Sequence, residues 1–146
     1  MPVLRSPGVD LYDWLLFLHV LSAFLGVAAL VVLWGLVAGT RGAAPAFDVP
    51  AATSIGRVAG IAVGVGLMGA LLFGIWLAID VDGYELWDGW ILASLALWVV
   101  GAWTGGKAGK EAERGPDGRQ GWIRFQAISS AAVLLILVLM IWKPGA

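Results

Sequence analysis

The stretch "YDWLLFLHVLSAFLGVAALVVLWG", Tyr12 to Gly35, decides the fold. After Asp13 come 27 residues, 14 to 40, without an Asp, Glu, Lys or Arg. A helix needs about 20 apolar residues to cross the hydrocarbon core of a bilayer. Only helices and closed barrels satisfy every backbone group in lipid, and a run this long and continuous is helical. Three more uncharged runs follow: 22 residues after Arg57, 18 after Asp88 and 18 after Arg124. They predict transmembrane helices near 12–38, 56–79, 87–105 and 122–142. The expected fold is all-α, an antiparallel four-helix transmembrane bundle forming a single integral membrane domain over 1–146. The first apolar run exceeds the roughly 7–15 residues of a leader's hydrophobic region, so a spanning helix is expected there rather than a cleaved leader.

Composition agrees. The chain is 60% hydrophobic and 13% charged, with a mean hydropathy of +0.90. A soluble domain carries roughly 25% charged residues. The net charge of −1 gives no basic surface for nucleic acid, so the expected partner is the lipid bilayer. The chain has no cysteine, which removes disulfides, thiolate metal sites and cysteine nucleophiles together.

Charge also sets a direction. Arg41, Arg57, Lys107, Lys110, Arg114, Arg119 and Arg124 lie on one side of the expected membrane, and Arg5 and Lys143 on the other. Basic loops stay cytoplasmic, so both termini are expected outside the cell membrane. The turn "DVDGYELWDG" between helices 2 and 3 is acidic, in agreement. Tyr12, Trp14, Trp76, Tyr84, Trp87, Trp90 and Trp142 read as an outer aromatic belt, and Trp34, Trp103 and Trp122 as an inner one. Thr53 and Ser54 read as N-caps of helix 2, and "KAGKEAER" as an extension of helix 3 before the turn "GPDG".

"GAWTGGKA", Gly101 to Ala108, nearly matches a phosphate-binding loop. Ala108 stands where that motif needs a hydroxyl, and the stretch ends a membrane helix instead of joining a strand to a helix. On helix 2, Gly56, Gly60, Gly64, Ala70 and Gly74 fall within an arc of roughly 120°. A small-residue face lets another helix approach closely, so this arc is the expected packing seam. On helix 1, Ser22 and Gly26 form a matching pair.

His19 is the only histidine of the chain. It shares a helix face with Ser22 and Gly26, so it should point into the bundle, about 10 Å below the outer surface. Ser94, six residues after Asp88, should be nearly level with it. Helix 4 carries a polar stripe, Gln126, Ser129 and Ser130. No carboxylate lies in any span, so a proton relay has no second member. Two readings of His19 stay open: a hydrogen-bond donor between helices, or a ligand of haem iron. A second iron ligand would come from another copy of the chain, from a methionine such as Met68 or Met140, neither of them clearly level with His19, or from nowhere.

"LYDWLLFLHVLSAFLGVA", "GLMGALLFGIWLAI" and "LWDGWILASLALWVVGA" together resemble a family of predicted four-helix integral membrane proteins of unknown function. More distantly the chain looks like HemJ-type protoporphyrinogen oxidases and the membrane part of CopD-type copper-resistance proteins. That resemblance implies haem b with His19 as axial ligand, and it places Ser94 where HemJ-type proteins carry a lysine. Their Pro-Arg pair late in helix 1 is replaced by the region of Trp34 and Gly35, which argues against the oxidase activity itself. The expected function is that of a multi-pass membrane protein acting through helix–helix contacts with itself or a membrane partner. The alternative is a haem b protein for electron transfer or porphyrin handling.

Overall fold

The structure, a computed structural model, describes residues 10–40, 49–80 and 87–144. Four long helices account for nearly all of them: α1 (Leu11–Thr40), α2 (Val49–Asp80), α3 (Gly89–Glu113) and α4 (Arg119–Trp142). Each is long and apolar enough to cross a membrane. The chain is a multi-pass membrane protein with an all-α, antiparallel four-helix bundle. The expected loop charges at 41–48 and 81–86 and the terminal Arg5 lie outside the described residues.

The outer surface is unlike that of a soluble bundle. Large apolar side chains face outward, with Phe24 70% and Ile141 72% exposed. Buried positions include Ser94, Thr104, Gln126 and Ser129. In lipid an outward apolar side chain costs nothing, and an inward hydroxyl finds a neighbouring backbone to bond.

The four helices form two antiparallel hairpins. In the first, α1 and α2 touch almost backbone to backbone. A Cβ on Gly66 would stand 2.5 Å from the Gly26 nitrogen and 2.7 Å from the Ser22 carbonyl oxygen. A Cβ on Gly69 would stand 2.5 Å from Ser22 Oγ. Only glycine permits that approach. The seam therefore runs through Ser22 and Gly26 on α1 and Ala59, Gly66 and Gly69 on α2.

This corrects the expected face of α2. Gly60 and Gly64 are exposed, and a Cβ on either would meet nothing within 4 Å. Gly56 meets only the tip of Leu36, at 3.6 Å. Of the expected arc, Ala70 and Gly74 meet His19 and Gly56 meets Leu36, whereas Gly60 and Gly64 face outward and Gly66 and Gly69 make the closest approach. Helix 2 is glycine-rich on more than one side, and the side that packs is the one whose partner, Ser22-x-x-x-Gly26, fits it.

In the second hairpin Ser129, only 1% exposed, donates from Oγ to the Gly101 carbonyl at 3.1 Å. Gly101 also faces Ala132, and Thr104 and Ala108 complete the buried side of α3. Helix α3 continues through the near-miss phosphate motif to Glu113, as the extension predicted. The turn to α4 is a single 3-10 segment, Gly115–Gly118. Gly115 has φ +63°, which favours glycine, and a Cβ on Gly118 would run into the Glu111 carbonyl. Thr53 and Ser54 are not caps: α2 begins at Val49, with Pro50 in its first turn, where a missing N–H costs nothing.

Between the hairpins contact is sparse. Two indoles bridge it. Trp34 Nε1 on α1 donates to Ser130 Oγ on α4 at 3.0 Å, and Trp98 Nε1 on α3 donates to the Leu67 carbonyl on α2 at 3.0 Å. Trp34 also meets Trp122 edge to face, with ring centroids 5.8 Å apart. Trp34, expected in the inner belt, is thus a tie between helices, and Trp90, expected in the outer belt, is buried. Trp14, Trp76, Trp87, Trp103 and Trp142 are exposed, as belt residues should be.

Candidate functional site

His19 lies on the face of α1 that meets α2. Its Nδ1 is 2.9 Å from the Ala70 carbonyl oxygen. A carbonyl only accepts, so Nδ1 carries a proton and donates it. In the uncharged ring Nε2 then holds a lone pair. Nε2 has no hydrogen bond to any described residue. Beneath the ring is Gly74, one turn beyond Ala70: a Cβ there would stand 2.9 Å from His19 Cε1. One carbonyl fixes the tautomer and one missing side chain makes room for the ring.

His19 forms part of the wall of a cavity of about 450 Å³ between the two hairpins, at the end where α1 starts and α4 stops. All four helices contribute. The wall is mostly aliphatic, with Leu16, Leu71, Ile75, Ile91 and Leu137 among its residues. Its polar side chains are few: Tyr12, His19, Ser94 and Lys143, with the indoles of Trp90 and Trp98. A mainly apolar cleft of this size with a few placed polar groups is the usual form of a small-molecule site.

The polar groups are differently disposed. Ser94 is buried and its Oγ donates to the Trp90 carbonyl at 2.8 Å. The Trp98 N–H is held by Leu67. The Trp90 indole nitrogen is buried in the wall. The Lys143 ammonium lies 5.7 Å from the centroid of the Trp90 ring, a cation–π distance. Lys143 takes a left-handed conformation as it ends α4, with φ 39°.

Of the residues expected to form a site, His19 and Ser94 line the same cavity from α1 and α3, without a bond to each other. Gly74 lies under the histidine, and Ser22 and Gly26 lie at the hairpin contact. Met140 lines the cavity with His19, whereas Met68 is exposed on the outer surface of α2. The sequence reading missed the Ala70 carbonyl, Trp98 and Trp90 as parts of the site. A backbone acceptor leaves no mark in a sequence, and Trp90, at the start of helix 3, reads as a belt residue; Trp98 shares a stripe of helix 3 with Ser94, and that stripe is the signal that could have found it. Among the described residues no group of three or more His, Asp or Glu could hold a metal ion. Comparison with protein-family models, curated proteins and solved structures gives no match.

Proposed function

We propose that this chain is an intramembrane binding protein whose inter-hairpin cavity receives a lipid-soluble molecule, with His19 as the anchoring group. One observation carries this reading. The His19 ring, pinned through Nδ1 to Ala70 and seated over Gly74, lines the cavity, and its Nε2 bonds to no described residue. A histidine serving only to join two helices would need no adjoining space. The test is to fill the cavity. Wild type and Ala78→Trp, a change in its wall, are purified from membranes and compared by native mass spectrometry. A small molecule retained by wild type and absent from the variant supports the reading. Equal retention, or none in either, defeats it.

A second reading, haem b, is favoured by the same histidine. Metal-binding histidines usually give their other ring N–H to a carbonyl or carboxylate, as His19 does to Ala70. Of the lining residues, His19 would hold the iron through Nε2, and Met140, which lines the same cavity from α4, would offer a thioether. Bound haem would supply one-electron chemistry. This chain's residues would hold and orient it in an apolar setting. Purification of wild type and His19→Gln from haem-supplemented cells decides it. A Soret band in wild type that is lost in the variant supports haem, and no band in folded wild type ends that reading.

Two wider features belong to the proposal. Both termini are placed outside the cell membrane, on the seven-to-two split of basic residues. Contact with a second copy or a membrane partner is supported by the smooth, outward-facing Gly60 and Gly64 of α2.

A further inference from the structure

We propose that the cavity takes a single-chain amphiphile, admitted sideways from the bilayer through a slot between α1 and α4. This rests on the reading of the cavity as a binding site, and it names the ligand class and the entrance. The entrance follows from which wall residues also reach the outer surface. On α2 and α3 every described lining residue is buried or half-buried. The exposed ones are Tyr12, Leu16 and Val20 on α1 and Ile141 on α4. Leu16, Val20, Ala23 and Val27 form a stripe of α1 beside the His19, Ser22 and Gly26 face that meets α2. The hydrogen bonds between the hairpins agree. Trp98 ties α3 to α2 at the cavity itself, since Trp98 and Leu67 both line it. The bond from Trp34 to Ser130 ties α1 to α4 away from the cavity. Trp34 lies 14 residues past Val20, about 21 Å along the helix. The slot between α1 and α4 can therefore widen while its far end stays tied.

The ligand class follows from the order of polar and apolar groups down the wall. At the end where α1 starts are Tyr12 and Lys143, side chains with an apolar body and a polar tip that suits the membrane interface. His19 comes about 10 Å deeper, with Ser94 on α3. Deeper still the wall is Ala23, Val27, Leu67, Val133 and Ile136, and the Trp98 N–H there is bonded to Leu67. The wall is thus polar toward one end and apolar toward the middle of the membrane, as an amphiphile requires. From Tyr12 to Val27 the lining covers 15 residues of α1, about 22 Å. A volume of about 450 Å³ over that length is long and narrow, the form of one extended chain. A small oxygen-bearing head between Lys143 and His19, with its chain directed inward, matches both the order of groups and the form. Leu16, Val20 and Ile141, at the rim of the slot, are aliphatic, so the chain crosses no water on its way in.

The experiment uses the full chain in phosphatidylcholine nanodiscs, with palmitic acid added to the bilayer as the probe. Native mass spectrometry counts the molecules retained, and exchange against deuterated palmitic acid gives a rate. The expected result is one palmitate per wild-type chain. In Val20→Trp, where the indole obstructs the slot, exchange should be about tenfold slower, from a barrier raised by one overpacked side chain, or loading should fail. Ile141→Trp obstructs the same slot from α4 and should act alike. Leu72→Trp, at an exposed position of α2 outside the cavity wall, should exchange as wild type does. Palmitate that exchanges equally fast in wild type and in both slot variants would overturn the entrance while leaving the cavity a binding site. Retention of a two-chain phospholipid in place of palmitate would overturn the ligand class and leave the site. Retention of no molecule by wild type would overturn the site and the proposal together.

Discussion

At the scale of single residues, the question is what holds the His19 ring. The bond to Ala70 and the space over Gly74 act together, and Gly74→Ala separates them. The new Cβ would stand 2.9 Å from Cε1, so the ring must shift and strain or lose its bond to Ala70. A side-chain hydrogen bond between membrane helices is worth about 0.6 kcal/mol and at most about 1.7. Glycine to alanine in a helix returns up to about 1 kcal/mol. The two nearly cancel. Gly74→Ala is therefore expected to melt within a few degrees of wild type, yet to shift both ¹⁵N signals of His19. Unshifted signals would mean that the ring is not pinned as described.

At the scale of elements, the decisive matter is which side of α2 meets α1. Gly66→Ala drives a Cβ into the backbone of α1, where nothing can rotate away. Overpacking of this kind costs about 1–3 kcal/mol, more than the helix propensity of alanine returns. Gly64→Ala meets open space and should keep that gain. Thermal unfolding in detergent should rank Gly64→Ala at or above wild type and Gly66→Ala below it. The reverse order would refute the register of the first hairpin. That register was not legible in the sequence, because α2 carries glycines at 56, 60, 64, 66, 69 and 74, which spread around the helix. Spacing alone shows that α2 can pack closely, and a partner is needed to show where. In the second hairpin the polar stripe of α4 was legible: Gln126 and Ser129 are buried, and Ser130 accepts from Trp34 across the hairpins.

At the scale of the whole molecule, two indole bonds join hairpins that otherwise touch little. Trp34→Phe and Trp98→Phe each remove one bond and keep most of the apolar volume. Each should cost about 0.6 kcal/mol, by the average for such bonds in lipid. The double variant should widen the distribution of distances between the hairpins. With no native cysteine, spin labels on cysteines at Val31 and Leu134 report that distance directly. An unchanged distribution would mean that the indoles are not the ties. Orientation belongs to this scale as well. A reporter joined after Ala146 that works only outside the cell should be active, and activity of a cytoplasmic reporter there would reverse the topology.

The sequence by itself determined that the chain has four helices, that they are of membrane-spanning length and that the single histidine shares a face with Ser22 and Gly26. Those facts follow from the bilayer, which fixes how many apolar residues a span needs and makes every inward polar group conspicuous. Only the tertiary structure decided which glycines touch, that Ala70 takes the Nδ1 proton, that Met140 and Ser94 share a cavity with His19, and that two tryptophans face inward to tie the hairpins. Each of these depends on how helices are rotated against one another, and in lipid the apolar pattern gives little guidance to rotation. Lipid is as apolar as the bundle's own side chains, so close packing and hydrogen bonds to backbone carbonyls settle the rotation.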